Sequence, residues 1–367
     1  MLDSQKYYFC VGTYTSMSWC LGNKGEGIYL AEFDPRHGSM SCLSVVSNVE
    51  NPSFMAFDSS FSYLYVINEI EPVSDDAIGK VSTFKVDRQT GSLTLAGTAS
   101  SSGLSPCYII VDKNDKYAYI TNYSSGSLVS FPIEDDHTIG DHVQIIKHSG
   151  HGINKERQES AHTHSVILDK NQKHVLVADL GIDKIMVYKL INDKSQQQMS
   201  FAASANVNPG DGPRHMTFDA SGKYLYVICE LGSKIHVFDY DGDTGSLEKI
   251  QEVSTLSPGT DIVNHCADIH ISEDGNYLFG SNRGHNSIAV FRRNPQTGLL
   301  TFIYAQPTYG RTPRNFSLDP SGRFIIVANQ DSNNLVSFSI DNESGRLNKM
   351  SELEIPSPVF IKFLEKI

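Results

Sequence analysis

The chain has 367 residues, is 40% apolar and carries a formal net charge of −12. That charge argues against nucleic acid or an anionic membrane as partner, and apolar runs of four to seven residues are too short to cross a bilayer as helices. Seventeen Tyr and eighteen Phe against one Trp exclude blades built on a repeated Trp-Asp pair.

The first apolar run, Tyr7-Tyr8-Phe9-Cys10-Val11-Gly12, follows Met1 with no charged start and apolar stretch of a secretory signal before it, so a cytoplasmic location is expected. A looser turn follows at Asp34-Pro35-Arg36-His37-Gly38. Pro52 then opens a unit that passes through a turn at Asp58 into the Tyr-rich strand 63–69, ending Asn68-Glu69. The same unit recurs as Pro106, Asp112 and the strand 117–122; as Thr163-His164, Asp169 and 174–179; and as Pro213-Arg214-His215, Asp219 and 224–230. Cys266, Ser272 and 277–283, then Pro313-Arg314-Asn315, Asp319 and 324–330, complete six copies. The turn positions 58, 112, 169, 219, 272 and 319 lie 54, 57, 50, 53 and 47 residues apart, the length of a four-stranded propeller blade. A second turn, seen at 87–93, 243–247, 295–299 and 343–347, links the third strand of a blade to the outermost one.

The run 7–12 aligns with the Tyr-rich strand but lacks the strand before it, while Pro358-Val359-Phe360-Ile361 lacks what should follow. Joined, they make a seventh blade and close a ring with no free edge. The expected fold is therefore all-β, one seven-bladed β-propeller domain over 1–367. The six cysteines (10, 20, 42, 107, 229, 266) show no framework spacing and read as buried reduced thiols.

In a propeller, residues flanking the Tyr-rich strands converge around the central channel. Those slots hold Ser53, Cys107, His164, Arg214, Ala267 and Arg314 before the strand, and Glu69, Tyr123, Leu180, Glu230, Arg283 and Gln330 at its end. Their variation from blade to blade points to chemistry, and Arg214, Arg283 and Arg314 suit a carboxylate or phosphate. Inter-blade salt bridges are the competing reading. Six histidines fall between 137 and 164, but no spacing fixes a zinc set, so neither a metal nor a cofactor is expected. The segment around Gly150-His151-Gly152 reads as a long loop folding over the channel mouth.

The run Arg157-Gln158-Glu159-Ser160-Ala161-His162-Thr163-His164-Ser165 resembles the signature of the seven-bladed propeller lactonases, which include bacterial 6-phosphogluconolactonases and fungal carboxy-cis,cis-muconate cyclases. Val11-Gly12-Thr13-Tyr14-Thr15, Gly212-Pro213-Arg214-His215, Ser281-Asn282-Arg283-Gly284, Pro313-Arg314-Asn315-Phe316 and Ala328-Asn329-Gln330 extend the resemblance along the chain, with Ala161 standing where the family usually has Pro. It implies a catalytic set of His164, Arg214, Glu230 and Arg283. The substrate-binding set expected around it is Glu69, Arg157, Gln158, His162, His215, Asn282, Arg314 and Gln330.

The function so implied is hydrolysis of a sugar lactone, 6-phosphogluconolactone first, a small anionic substrate of glucose metabolism. Arg283 and Arg314 would take the phosphate or sugar edge, Arg214 the oxyanion, and Glu230 or His164 the proton of water. A muconate-type lactonizing cycloisomerase and a non-catalytic ligand- or protein-binding propeller are the alternatives. The sequence does not set the oligomeric state.

Overall fold

A computed structural model describes residues 6–74, 76–192 and 197–364. Among these, strands form seven four-stranded antiparallel sheets arranged as a seven-bladed β-propeller. Six sheets are continuous in sequence, spanning 52–104, 106–147, 163–206, 213–254, 265–307 and 313–354. The seventh takes its strands from both ends of the chain: Pro358–Phe363 lies innermost, followed by Tyr7–Thr13, Gly27–Asp34 and Ser39–Ser47.

The repeated Asp has a structural cause. Asp58 Oδ1 accepts the backbone N–H groups of Ser62 and Tyr63 at 2.8 and 2.7 Å. Asp112, Asp219 and Asp319 do the same for the residues four and five positions on. The carboxylate thereby fixes the hairpin between the first and second strands. In the fifth continuous sheet the Ser272 hydroxyl replaces it, accepting from Tyr277 N at 2.9 Å.

Second strands are apolar through their middles and almost wholly buried because each blade packs on both neighbours, with polar residues such as Asn68, Asn122, Asp179 and Asn282 at their ends. One core cluster joins Phe9, Phe33 and Phe363 of the closing sheet to Phe324 and Ile326 of the preceding one. Gly12 lets the closing sheet approach the next, since a Cβ there would stand 1.9 Å from the Pro52 carbonyl oxygen. Cys10, Cys107, Cys229 and Cys266 are buried free thiols, as expected. Cys20 is half-buried and Cys42 exposed, a correction whose cause for Cys42 is its place on the solvent-facing outer strand Ser39–Ser47. Among the described residues no helix is long and apolar enough to cross a membrane.

Phe363 packs its ring against Phe9, Phe33 and Tyr7 with centroids 5.2, 6.3 and 6.5 Å apart, so it fastens the closing strand. Phe363→Ala is expected to lower unfolding free energy by about 3–5 kcal/mol. Urea denaturation followed by intrinsic fluorescence measures this, and a loss under about 1 kcal/mol would show that closure does not rest on this contact.

Candidate active site

One irregularity, repeated seven times, builds the site. The innermost strand of each sheet slips register near its start, between Pro52 and Phe54, Pro106 and Tyr108, Thr163 and Ser165, Pro213 and His215, Cys266 and Ile269, and Pro313 and Asn315. In the closing sheet the extra residue is Val359. Proline suits the strand start because it has no N–H to offer. The bulged residue after it leaves the ladder and is re-aimed. The bulged residues are Ser53, Cys107, His164, Arg214, Ala267 with Asp268, Arg314 and Val359. All but Ala267 and Asp268 border a void of about 20 Å³ in mid-channel.

Above that void opens a cavity of about 570 Å³, walled by Glu69, Cys107, Tyr123, His164, Glu230, Arg283 and Arg314 from the expected slots, and by Arg157 from the long loop. A second cavity of about 470 Å³ lies on the other side, walled by Phe54, Tyr108, His215, Asp268, Asn315 and Phe360 among others. The upper mouth gathers the charge.

Glu230 is the centre of that charge. Its Oε1 accepts from Arg157 Nη2 at 2.6 Å; its Oε2 accepts from Arg214 Nε at 2.9 Å and lies 2.7 Å from Arg283 Nη2. Burial opposes ionisation, but Arg283, Arg214 and Arg157 outweigh it and hold the carboxyl well below the usual carboxylate range. Arg283 is oriented further by the carbonyl oxygens of His265 and Cys266 at 3.2 and 3.0 Å. Arg214 is buried, and burial followed by Arg283 brings its guanidinium down to about 10, which leaves it charged at neutral pH.

His164 differs from these groups. Burial, then Arg214 and His215, hold its imidazole well below its ordinary range, so it is neutral at physiological pH. Its Nδ1 is buried without a hydrogen-bond partner. Arg314 is clamped by aromatic faces, 5.2 Å from the Tyr14 ring and 5.3 Å from the Trp19 ring. Among the described residues it forms no ion pair within 4.0 Å. Glu69 accepts from the Tyr14 hydroxyl at 2.9 Å, and Glu71 holds the Trp19 loop by accepting from Ser18 N and Oγ.

The expected catalytic four do converge, although Arg214 lies beneath Glu230, bordering the small void and not the main cavity. Arg214 Nε and Nη1 are engaged by Glu230 Oε2 and Ala267 O. Of the expected substrate-binding set, Glu69, Arg157 and Arg314 line the cavity. Five residues do not, each for a visible reason. Gln158 ties the loop down, its Nε2 donating to Leu180 O and Asp183 Oδ1. His162 stacks on Tyr123 and bonds Tyr123 O and Glu159. Asn282 is spent on Thr255, Asn264 and Ser287. Gln330 donates to Asp331 at 2.9 Å. His215 faces the opposite cavity.

His265 also lines the upper cavity; it immediately precedes Cys266, at the edge of the proline slot, which is the one signal that could have found it. The histidines between 137 and 164 do not meet at one centre: His148, for example, bonds Asp179 at 2.6 Å and Tyr188 at 2.8 Å. Among the described residues Asp211, Cys229 and His236 place ligand atoms within 4.8 Å of one another, but away from the cavity wall. His236 Nε2 already bonds Asp211 Oδ2 at 2.7 Å.

Residues 8–363 match the family described as lactonase, 7-bladed beta-propeller. A Bacillus subtilis protein named 6-phosphogluconolactonase is 34% identical over 363 residues, 99% of each chain. One of that name from Formosa agariphila is 37% identical, covering 93% of this chain and 95% of its own. Among solved structures, the periplasmic gluconolactonase of Pseudomonas aeruginosa superposes with a TM-score of 0.91 at 30% identity, covering 98% of this chain and 99% of that one.

The His215 imidazole is pushed down to about 4, by burial first and Arg214 second, against the pull of Asp268. The unfolded chain therefore binds a proton at this ring near its ordinary value of 6.5 that the folded chain refuses. Folding stability is complete above pH 6.5 and falls as pH drops from 6.5 toward 4, by on the order of 3 kcal/mol for this group. Unfolding curves at pH 7 and 4.5 should differ more for the wild type than for His215→Gln; equal differences would reject the assignment.

Proposed function

The chain belongs to the seven-bladed β-propeller lactonase family, and we propose that it hydrolyses a sugar lactone at the upper mouth, with 6-phosphogluconolactone as substrate. One observation carries this reading. Arg157, Arg214 and Arg283 are committed to Glu230, while Arg314, lining the same cavity, is left without a carboxylate partner among the described residues and is held by two aromatic rings. An oriented, unneutralised guanidinium in a cavity of about 570 Å³ suits the phosphate of a small sugar.

The roles follow from the protonation states. Glu230 faces three guanidiniums, one at Oε1 and two at Oε2, which hold its basicity low; it serves as the charge that fixes Arg157 and Arg283. His164 and His265 are both neutral imidazoles lining the cavity; His164, the more deeply buried, is assigned as base. It takes one proton from water as the water oxygen bonds to the lactone carbonyl carbon. The carbonyl oxygen becomes an oxyanion facing Arg283, whose charge favours it more than the ground-state carbonyl. When the oxyanion collapses, the bond from carbon to ring oxygen breaks and the imidazolium returns its proton to that oxygen, releasing the open acid. Imidazolium formation is helped by the Glu230 carboxylate, which pulls against the burial that keeps His164 neutral. The Glu69 carboxylate and Tyr123 hydroxyl face the same space and are assigned to sugar hydroxyls.

Six unpaired cysteines suit a reducing compartment, and a cytoplasmic location is proposed with the function.

Two variants separate the roles. Arg314→Ala should raise KM for 6-phosphogluconolactone by about 10- to 100-fold, the worth of a charge-assisted contact, and leave KM for unphosphorylated gluconolactone within about threefold. Equal effects on both lactones would remove phosphate from the proposal. His164→Gln should lower kcat by about 100-fold or more on either lactone, measured by NMR against the spontaneous rate. Unchanged turnover would reassign the base.

A further inference from the structure

His215 was expected at the substrate and is instead packed behind it. Its surroundings give it a different task. Asp268 Oδ1 stands 2.8 Å from His215 Nδ1, and His215 Nε2 stands 3.1 Å from Arg214 Nη1. Both Asp268 and His215 are buried. A guanidinium only donates, so Nε2 must carry the lone pair and Nδ1 the proton, which Asp268 accepts. Arg214 Nη1 also donates to Ala267 O at 2.6 Å, and its Nε donates to Glu230 Oε2 at 2.9 Å. Glu230 Oε2 is shared with Arg283 at 2.7 Å. A continuous line therefore runs from Asp268, through one imidazole tautomer and one guanidinium, to the carboxylate that aims Arg283.

We propose that Asp268 and His215 are positioning residues for lactone hydrolysis: they fix the tautomer that holds Arg214, and Arg214 holds Glu230 where Arg283 meets the oxyanion. The proposal rests on the lactonase reading above. Asp268 is itself anchored for the task. Its Oδ2 accepts from His270 Nε2 at 2.9 Å, Asn315 Nδ2 at 2.5 Å and Phe316 N at 3.3 Å, while Oδ1 takes His215 and Ile269 N. Three donors at Oδ2 against two at Oδ1 tell how an amide would sit in its place. In Asp268→Asn the oxygen takes the Oδ2 position and the NH₂ faces His215. The ring must then accept at Nδ1 and present N–H at Nε2 to Arg214, donor against donor. The wrong tautomer disables the line with no loss of side-chain volume.

The test compares His215→Leu, His215→Gln and Asp268→Asn for kcat and KM, with thermal unfolding of each, and records ¹⁵N spectra of the histidine rings of the wild type. His215→Leu removes the acceptor and should lower kcat about tenfold or more with KM within about threefold, because the Arg283 contact it misplaces is made to the oxyanion, which exists only in the transition state. His215→Gln offers a carbonyl oxygen at similar reach and should recover kcat to within about threefold of wild type. Asp268→Asn should behave like His215→Leu in kcat. The ring signal absent from the His215 variants should be that of neutral imidazole with its proton on Nδ1. The proposal is overturned if His215→Leu keeps its kcat, if His215→Gln is as impaired as His215→Leu, or if the ring carries its proton on Nε2. Should His215→Leu fail to fold, a normal kcat in Asp268→Asn overturns the proposal, and a lowered kcat in Asp268→Asn beside a recovered His215→Gln sustains it. A wild type inactive on every lactone rejects the functional reading instead, and the tautomer then decides the geometry alone.

Discussion

The mouth exists because the two ends of the chain share one sheet. Pro358–Phe363 pairs with Tyr7–Thr13 in the register Phe9 with Phe363 and Val11 with Ile361, and this pairing turns a row of six sheets into a ring. In an open row the bulged residues of the first and last sheets would lie at opposite ends. In the ring Arg314 meets Tyr14 and Trp19, residues about 300 positions away in sequence, and Glu69 shares that corner. Closure is thus an electrostatic condition as well as a mechanical one, since it brings Arg314 into the same cavity as Glu230 and His164.

That cavity is organised by one unequal exchange of charge. A single buried carboxylate faces three guanidiniums, an arrangement whose desolvation cost is met only by the close geometry on both oxygens of Glu230. The surplus positive charge has two effects. Together with burial, which is the larger cause, it keeps His164 neutral, so the ring can accept a proton. It also consumes the Glu230 charge, so that Arg314 on the same wall keeps no carboxylate within ion-pair distance among the described residues. Salt bridging between blades and exposure to the cavity, which the sequence sets against each other, are both present: Arg214 is chiefly a bridge, Arg314 has no bridge among the described residues, and Arg283 joins Glu230 while still lining the cavity.

The ring was readable because its determinants are local. Asp58, Asp112, Asp169, Asp219 and Asp319 recur since each hairpin needs the same acceptor at the same place, and a local need leaves a periodic mark. His164, Arg214, Arg314, Glu230 and Arg283 stood out by the reverse test, changing type at slots where the fold imposes none. Depth within the channel left no such mark. Arg214 and His164 occupy equivalent bulges, yet only His164 reaches the upper cavity, because the Arg214 guanidinium is drawn under Glu230 and onto Ala267 O. Gln158 and His162 stand in the run that most resembles a signature, but their partners, Asp183, Leu180 and Tyr123, come from strand ends that the linear sequence does not juxtapose.

The bulge explains why one repeat tolerates such different residues. A residue within the ladder is constrained on both sides, by pairing and by packing against the next blade, so the middles of the second strands stay apolar. The bulged residue has left the ladder, and its side chain points where neither constraint applies. Ser53, Cys107, His164, Arg214, Ala267, Arg314 and Val359 can therefore differ without cost to the hairpins that carry them. Those hairpins are held by the Asp turns below and by proline or its substitute at the strand start. The fold is specified by what repeats and the chemistry by what does not, and both are written into the same short strand.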